Sequence, residues 1–316
     1  MPELPDLVHV EEVLNGALAG KTITDARTGD PTVLRLMVRD PFPAVLVGRR
    51  LQAVARRGHF LRFDLGADLA IVINAMLVGR YKLLPPLPTA ERKKDPSALG
   101  LALTFDQTGT LGGFLEPPAT TALGKAQLRQ REGALELQYL DEKRMGKVYV
   151  TRPEDEGSIP VYGQLGVELL SPAFTREAFD KIFAKRRDQV RPFLMDKRAL
   201  ASIGNAYADE ILFAAGIHPK TFCRKLEPAA VDALYGAIGR VLSEAIAEIR
   251  RRNEPPEVKV RDFLKVRGRD GKPRYVCGTT IRAVRVGDGD ACFCPTCQPE
   301  TRKLFVSWSG LNQRKA

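Results

Sequence analysis

The chain has 316 residues, with 49 Lys and Arg against 38 Asp and Glu and three histidines, giving a formal net charge of +11 at pH 7. That length predicts two domains with buried cores. The basic excess favours a polyanion as partner, although a basic protein without a nucleic-acid ligand has the same arithmetic. No apolar run reaches membrane-spanning length and no basic-then-apolar leader opens the chain, so the expectation is a soluble intracellular protein.

The chain opens MPELPD. Removal of Met1 would leave the secondary amine of Pro2 as the N-terminus, beside the carboxylate of Glu3. An α-amino group titrates near pH 8, roughly, and so can attack an electrophilic carbon without a helper base. Its adduct with a sugar C1′ would be an iminium ion, an electron sink suited to elimination. The same six residues also read as an ordinary helix start, with Pro5 in the first turn and Asp6 favouring the dipole. Leu7, Val10, Leu14 and Leu18 then keep helical spacing, and Gly20 closes the helix.

From Thr22 to Val150 the texture becomes short apolar or alternating runs such as LAIVINAML, LGLALTFD and LELQYL, broken by Gly, Asp and Pro. These predict an antiparallel β-sandwich or barrel. Two segments, ERKKDPSALG (91–100) and GGFLEPPATTALGKAQLRQREG (112–133), read as surface excursions. Residues 153–165 lack any period and predict an interdomain linker. Helical patterns follow in SPAFTREAFDKIFAKR with Ser171 as N-cap, in RPFLMD, in IGNAYADEILFAAG and in PAAVDALYGAIGRVLSEAIAEIRRRN. The last described pattern is a β-hairpin, IRAVRV-GDGD-ACFC, with Asp-Gly as its turn. Four of the five cysteines, Cys277, Cys292, Cys294 and Cys297, fall in this C-terminal segment and read as metal ligands, whereas Cys223 reads as a buried small hydrophobe.

MPELPD, LGVELLSPAF, LMDKRALASIGNAYADEILFAAGIHP and the cysteine hairpin together resemble the bacterial formamidopyrimidine-DNA glycosylase/endonuclease VIII family over nearly the whole chain. The resemblance implies an α+β fold. An N-terminal β-sandwich lobe with a leading helix (1–152) and a linker (153–165) precede a helix-two-turn-helix domain (166–260) and a zinc-finger-like hairpin with tail (261–316), with bent DNA held between the lobes. It implies a monomeric cytoplasmic, nucleoid-associated base-excision enzyme acting on damaged DNA, with no membrane partner. By the same resemblance Pro2 is the nucleophile on a flipped-out nucleotide, Glu3 shuttles protons, and β,δ-elimination cleaves the strand. Gly204 and Asn205 would hold a phosphate. Arg144 and Met145, in DEKRMG, would contact the orphaned base and wedge the duplex.

The sequence departs from the family pattern at several positions. In RRGHF the family's lysine is His59, a conditional charge at pH 7. INAMLVG puts Asn74 in place of a phosphate-contacting histidine and Leu77 in place of a wedge methionine, and Arg285 stands in for a basic residue missing from the hairpin tip. Arg274 occupies the first cysteine position of the finger. The expected structural Zn2+ is therefore held by Cys277, Cys292, Cys294 and Cys297, the alternative being a zincless hairpin held by packing. The short stretch before the finger leans toward oxidised pyrimidines or abasic sites rather than 8-oxoguanine. These departures also keep open a damaged-DNA-binding protein that retains the fold without turnover.

Overall fold

The computed structural model of the protein describes residues 2–86, 97–107, 134–274 and 277–300, so the excursion expected at 112–133 and most of that at 91–100 lie outside the described residues. Packing divides the chain into two units. The first takes in residues up to Thr175 together with Asp196–Gly204 and Leu242–Phe263; the second takes in Arg176–Met195, Asn205–Val241 and the chain from Leu264 on. This division does not follow the linear boundaries at 165 and 260, because the turn before Gly204 and the end of the long helix pack with the β-rich unit.

The first unit starts with helix α1 (Leu4–Leu18), where the Glu3 N–H donates to Asp6 Oδ2 at 2.8 Å as one half of a capping box. Gly20, at φ 82°, turns the chain out of it, a conformation that a side chain would strain. Nine strands follow: β1 (Ile23–Arg27), β2 (Leu34–Leu36), β3 (Ala53–Arg57), β4 (Phe60–Asp64), β5 (Ala70–Asn74), β6 (Arg80–Leu84), β7 (Leu99–Phe105), β8 (Leu135–Leu140) and β9 (Lys147–Thr151). They form two sheets, ordered β1-β7-β8-β6 and β2-β9-β5-β4-β3. All pairs are antiparallel except β2 with β9, which run parallel.

Between the sheets lies one apolar core. Leu7, Val10, Leu14 and Leu18 of α1 meet Val54, Leu61, Phe63, Ile71 and Ile73 from one sheet and Leu101, Leu103, Phe105 and Leu137 from the other. Strand β5 is buried on both faces, which explains its unbroken apolar sequence. Its inward Ile71 and Ile73 enter that core, while outward Val72 packs with Phe60, Ile159 and Tyr162. The last two residues belong to 153–165, which is therefore no slack linker: it folds as two 3-10 turns, Pro153–Ser158 and Tyr162–Gln164. The Tyr162 ring sits edge-on to Phe60 at 5.2 Å and beneath the Arg57 guanidinium, and Glu156 accepts from Arg62 Nε at 2.6 Å. A sequence without period folds here because its scattered apolar residues have a sheet face to cover. A two-residue parallel pair, β10 (Val167–Glu168) with β11 (Leu200–Ala201), completes the first unit.

The second unit contains α2 (Arg176–Phe183), α3 (Val190–Met195), α4 (Asn205–Ala214) and most of α5 (Pro228–Arg252), followed by the hairpin of β12 (Arg282–Val286) and β13 (Gly289–Phe293). Helix α2 begins at Arg176 rather than after Ser171. The Ser171 hydroxyl closes a turn instead, donating to the Glu168 carbonyl at 2.7 Å and accepting from Ala173 N–H at 3.3 Å. Val286 pairs with Gly289, so the hairpin turn is Gly287-Asp288, one residue earlier than the expected Asp-Gly; Gly287 supplies the positive φ of 58°.

Replacing Tyr162 with Ala removes a fully buried ring from the outer face of the sheet and should cost about 3 kcal/mol. A lowered midpoint in urea denaturation, with the slope unchanged, is the expected result.

Candidate active site and nucleic-acid interface

Strand register gathers the candidate residues of the first unit at one end of the five-stranded sheet. Phe60 pairs with Asn74, and Asn74 pairs with Lys147. Three connections leave from those neighbouring residues: the Gly58-His59 turn before Phe60, the Ala75–Gly79 loop after Asn74, and the 141–146 loop before Lys147. The tips of the second and third loops carry Leu77 and Met145, which are 47% and 40% exposed. Exposed apolar side chains on adjacent loops are what insertion into a base step requires. Arg144, at φ 53°, forms an ion pair with Asp30 at 3.0 Å while most of its surface stays open. The base of its loop is fixed by Asp141, whose Oδ2 accepts from Gly146 N–H at 2.6 Å.

Asn74 serves its own loop first. Its Oδ1 accepts from Met76 N–H at 3.1 Å, an Asx turn that sets the direction in which Leu77 leaves.

At the same end sit Pro2 and Glu3, both buried. Pro2 lines a small cleft with Asp6, Gly79, Arg80 and Lys259. The Leu4 N–H donates to the Ser202 carbonyl at 3.3 Å, and the Gly204 N–H donates to Glu3 Oε2 at 2.9 Å. A Cβ on Gly204 would stand 2.5 Å from Glu3 Cδ, so only glycine lets the turn close on the carboxylate. Asp6 both accepts from Glu3 N–H and pairs with Arg261, whose Nη1 lies 2.7 Å from Asp6 Oδ1. The helix start thus fixes Pro2 and Glu3 in place, and the two readings of MPELPD do not exclude each other.

His59 is corrected by its surroundings. It is 7% exposed, its ring lies tilted against Phe60 at 4.4 Å, and its Nδ1 has no hydrogen-bond partner. Burial first, and the Lys197 ammonium second, push its pKa down to about 4. It is a neutral wall at pH 7, not a conditional cation, because a charged imidazole here would be desolvated beside another positive group. The turn that carries it is held by Glu168: Arg56 pairs with one carboxylate oxygen, and Gly58 N–H donates to the other at 2.8 Å. Glu168 and Lys197 were not singled out in the sequence. Both occur inside segments that were, LGVELLSPAF and LMDKRALASIGN, but neither carries a spacing signal of its own.

In the second unit Asn205 opens α4 and stays exposed, with its Oδ1 accepting from Arg191 Nη2 at 2.8 Å. Arg191 is nearly fully buried. It pairs with Asp209 at 2.8 Å and donates to the Asp290 carbonyl of the hairpin at 3.0 Å. Asp209 also receives Arg267 at 2.9 Å and the Cys292 N–H at 3.0 Å, while Glu210 receives the N–H groups of Lys265, Val266 and Arg267. The two acids of NAYADE therefore tie the hairpin segment to α4. Arg285 projects from β12, 67% exposed, with Asp290 at 3.9 Å.

Cys277, Cys294 and Cys297 converge, with sulfurs 3.7 Å apart from Cys277 to Cys294 and 3.8 Å from Cys277 to Cys297. Those spacings match the edge of a zinc tetrathiolate, about 3.8 Å for Zn–S bonds near 2.3 Å. Three ligands of a metal site fit. Cys292 stands outside that group: it is buried in the apolar cluster of Phe213, Val266 and Ile281, which Cys294 also enters, and its N–H donates to Asp209. Beside the three sulfurs lies the Arg274 guanidinium, 2.7 Å from Cys297 Sγ and stacked 4.5 Å over Phe213. Hydrogen bonds from Thr279 and Arg274 lower the Cys277 thiol, while burial raises that of Cys297. Cys223 is buried, as expected, with its Sγ 4.0 Å from Asp188 Oδ1, and burial pushes its thiol up to about 12.

A β-sandwich unit whose first residues, Pro2 and Glu3, are buried, together with a helical unit carrying a cysteine hairpin, is the architecture of a DNA glycosylase. Residues 1–148 match the formamidopyrimidine-DNA glycosylase N-terminal domain, and residues 165–253 match the formamidopyrimidine-DNA glycosylase H2TH domain. Formamidopyrimidine-DNA glycosylase of Symbiobacterium thermophilum is 32% identical over 313 residues, covering 97% of this chain and 92% of that protein. The enzyme of Listeria innocua is 28% identical over 304 residues, covering 94% and 100%. In structure, the chain resembles Lactococcus lactis Fpg solved with abasic-site DNA, with a TM-score of 0.75 at 23% identity, covering 95% of this chain and 100% of that one. The chain belongs to the formamidopyrimidine-DNA glycosylase/endonuclease VIII family, the DNA glycosylases of base-excision repair. No helix among the described residues is long and apolar enough to cross a membrane.

Two measurements check this geometry. His59 holds fewer protons folded than unfolded, so its contribution to stability is complete above its unfolded pKa, about 6.5, and is lost as pH falls toward its folded value. The melting temperature of the His59→Gln variant should therefore fall less steeply than that of the unsubstituted protein between those two pH values. For the cysteine cluster, Cys297→Ser should lower metal content measured by plasma mass spectrometry, and Cys292→Ser should leave it unchanged.

Proposed function

We propose that the protein removes a damaged base from DNA and then cuts the strand through a covalent intermediate on Pro2. With Met1 gone, the Pro2 amine attacks C1′ of the flipped nucleotide, and the base leaves as the C1′–N bond breaks. The nitrogen lone pair then forms an iminium as the C1′–O4′ bond breaks, with Glu3 supplying the proton to O4′. Loss of a C2′ proton expels the 3′ phosphate, and a second elimination expels the 5′ phosphate. Glu3 is the group that moves protons at the sugar. The observation that carries this reading is the burial of Pro2 and Glu3 at the sheet end from which Leu77, Arg144 and Met145 project. Those loops would fill the vacated stack while the flipped nucleotide reaches the amine; unstacking itself costs a few kcal/mol, roughly.

Damaged DNA is the proposed partner, with Asn205 and Arg285 on its phosphates; the Gly204 N–H expected there is taken by Glu3 instead. The Cys277, Cys294 and Cys297 cluster takes a structural metal, zinc being the best match to thiolates at these spacings, with its fourth position outside Cys292. No chemical step uses it. For the lesion, the short 252–274 segment favours abasic sites and oxidised pyrimidines, and the name shared by the relatives adds ring-opened purines.

Borohydride should trap the protein covalently on abasic-site duplex, and Pro2→Gly should abolish the adduct. A nicking screen across abasic, oxidised-pyrimidine, 8-oxoguanine and formamidopyrimidine duplexes then orders the lesions. The neutral His59 supports a second reading, a damage-binding protein without turnover. Selective binding with neither adduct nor nick would establish that one.

A further inference from the structure

One peptide unit is gripped at both ends by charged side chains. The Ile203 carbonyl accepts a hydrogen bond from Lys197 Nζ, and the N–H of the same peptide, that of Gly204, donates to Glu3 Oε2 at 2.9 Å. The chain goes to some cost to present this peptide. Ser202 adopts φ 82°, a left-handed conformation that costs a non-glycine residue about 1 kcal/mol. Lys197 is itself anchored: its carbonyl accepts from Gly166 N–H at 2.9 Å, and the Asp196 side chain caps the turn by accepting from Arg198 N–H at 3.0 Å. All of these residues belong to the first unit.

We propose that Lys197 is a positioning residue for Glu3, acting through the Ile203–Gly204 peptide. An ammonium on the carbonyl draws electron density toward oxygen and makes the N–H at the other end a stronger donor. Hydrogen bonds in series reinforce one another by roughly 10–30% each, and charged partners strengthen them further. The Glu3 carboxylate is then locked in one rotamer, held by the Gly204 N–H and, through the capping box, by the Asp6 N–H. The groups facing Lys197 are Glu3 from the N-terminal segment, His59 from the β3–β4 turn and Asp196 from its own turn. His59 is neutral first because it is buried, and the Lys197 ammonium adds to that effect. Burial lowers the lysine pKa from its ordinary value, which makes its charge removable at accessible pH.

The role assigned to Glu3 rests on the proposed lyase chemistry, so the test separates the clamp from the activity. The clamp is read by NMR of the glycine-labelled protein, through the Gly204 amide proton. In the unsubstituted protein this proton should move upfield as alkaline pH discharges Lys197, a reading that needs no variant. It should lie upfield in Lys197→Met at neutral pH and stay near its original position in Lys197→Arg. Activity is read by single-turnover cleavage of abasic-site duplex. Lys197→Met should slow it about tenfold while binding of an uncleavable tetrahydrofuran-site duplex changes less than about threefold, and Lys197→Arg should restore most of the rate and keep it at alkaline pH. A Gly204 amide indifferent to both pH and substitution overturns the proposal, as does a Met variant that cleaves at the original rate or loses affinity and rate equally. If the unsubstituted protein neither nicks nor traps, the lyase reading fails, and the amide shift still decides the clamp.

Discussion

The hydrogen bond between Gly204 N–H and the Glu3 carboxylate joins residues 201 positions apart, and the active end of the first unit is arranged around it. It requires a glycine, because a side chain would overlap the carboxylate, and it requires a helix start held rigidly enough to keep Glu3 in place. Asp6 meets the second need by bonding the Glu3 N–H and pairing with Arg261. A short N-terminal segment would otherwise fray. Here it is buried, capped and ion-paired, so Pro2 and Glu3 gain fixed positions.

Charge in this protein is spent on structure before it is offered to a ligand. Arg56 holds Glu168, Arg62 holds Glu156, Arg191 and Arg267 share Asp209, Arg261 holds Asp6, and Arg252 holds Glu248 and Asp262. Several of the basic runs that suggested a polyanion therefore serve mainly to fix turns and the hairpin. The buried pairs matter most, since removing either partner would strand a desolvated charge. Exposed pairs such as Arg176 with Asp180 contribute little.

Much of the fold was legible in the sequence. Helix α1, the short strands, the end of α5 at Arg252 and the hairpin follow from periods, caps and turn residues, all of which act over a few positions. The misreadings have a common cause. Residues 153–165 have no period but cover Phe60 and Val72; Ser171 has a capping side chain but closes a turn; Cys292 has the right element but lies outside the group of three thiols. In each case a long-range packing partner outweighed a local preference. His59 is the sharpest example, since an imidazole's charge depends on what surrounds it and the sequence gives only its neighbours on the chain.

The sequence alone determined that an N-terminal proline and glutamate exist, that a Gly-Asn turn and a cysteine hairpin follow, and that their spacing is that of the glycosylase family. These are matters of local chemistry and order along the chain. Tertiary structure alone decided that Lys197 rather than His59 brings positive charge toward Glu3, that Leu77 and Met145 leave adjacent strands at one end, and that Cys292 lies outside the group of three thiols. Strand register and burial set those outcomes, because hydrogen bonding, desolvation and Coulomb energy depend on distances in space that spacing along the chain does not fix.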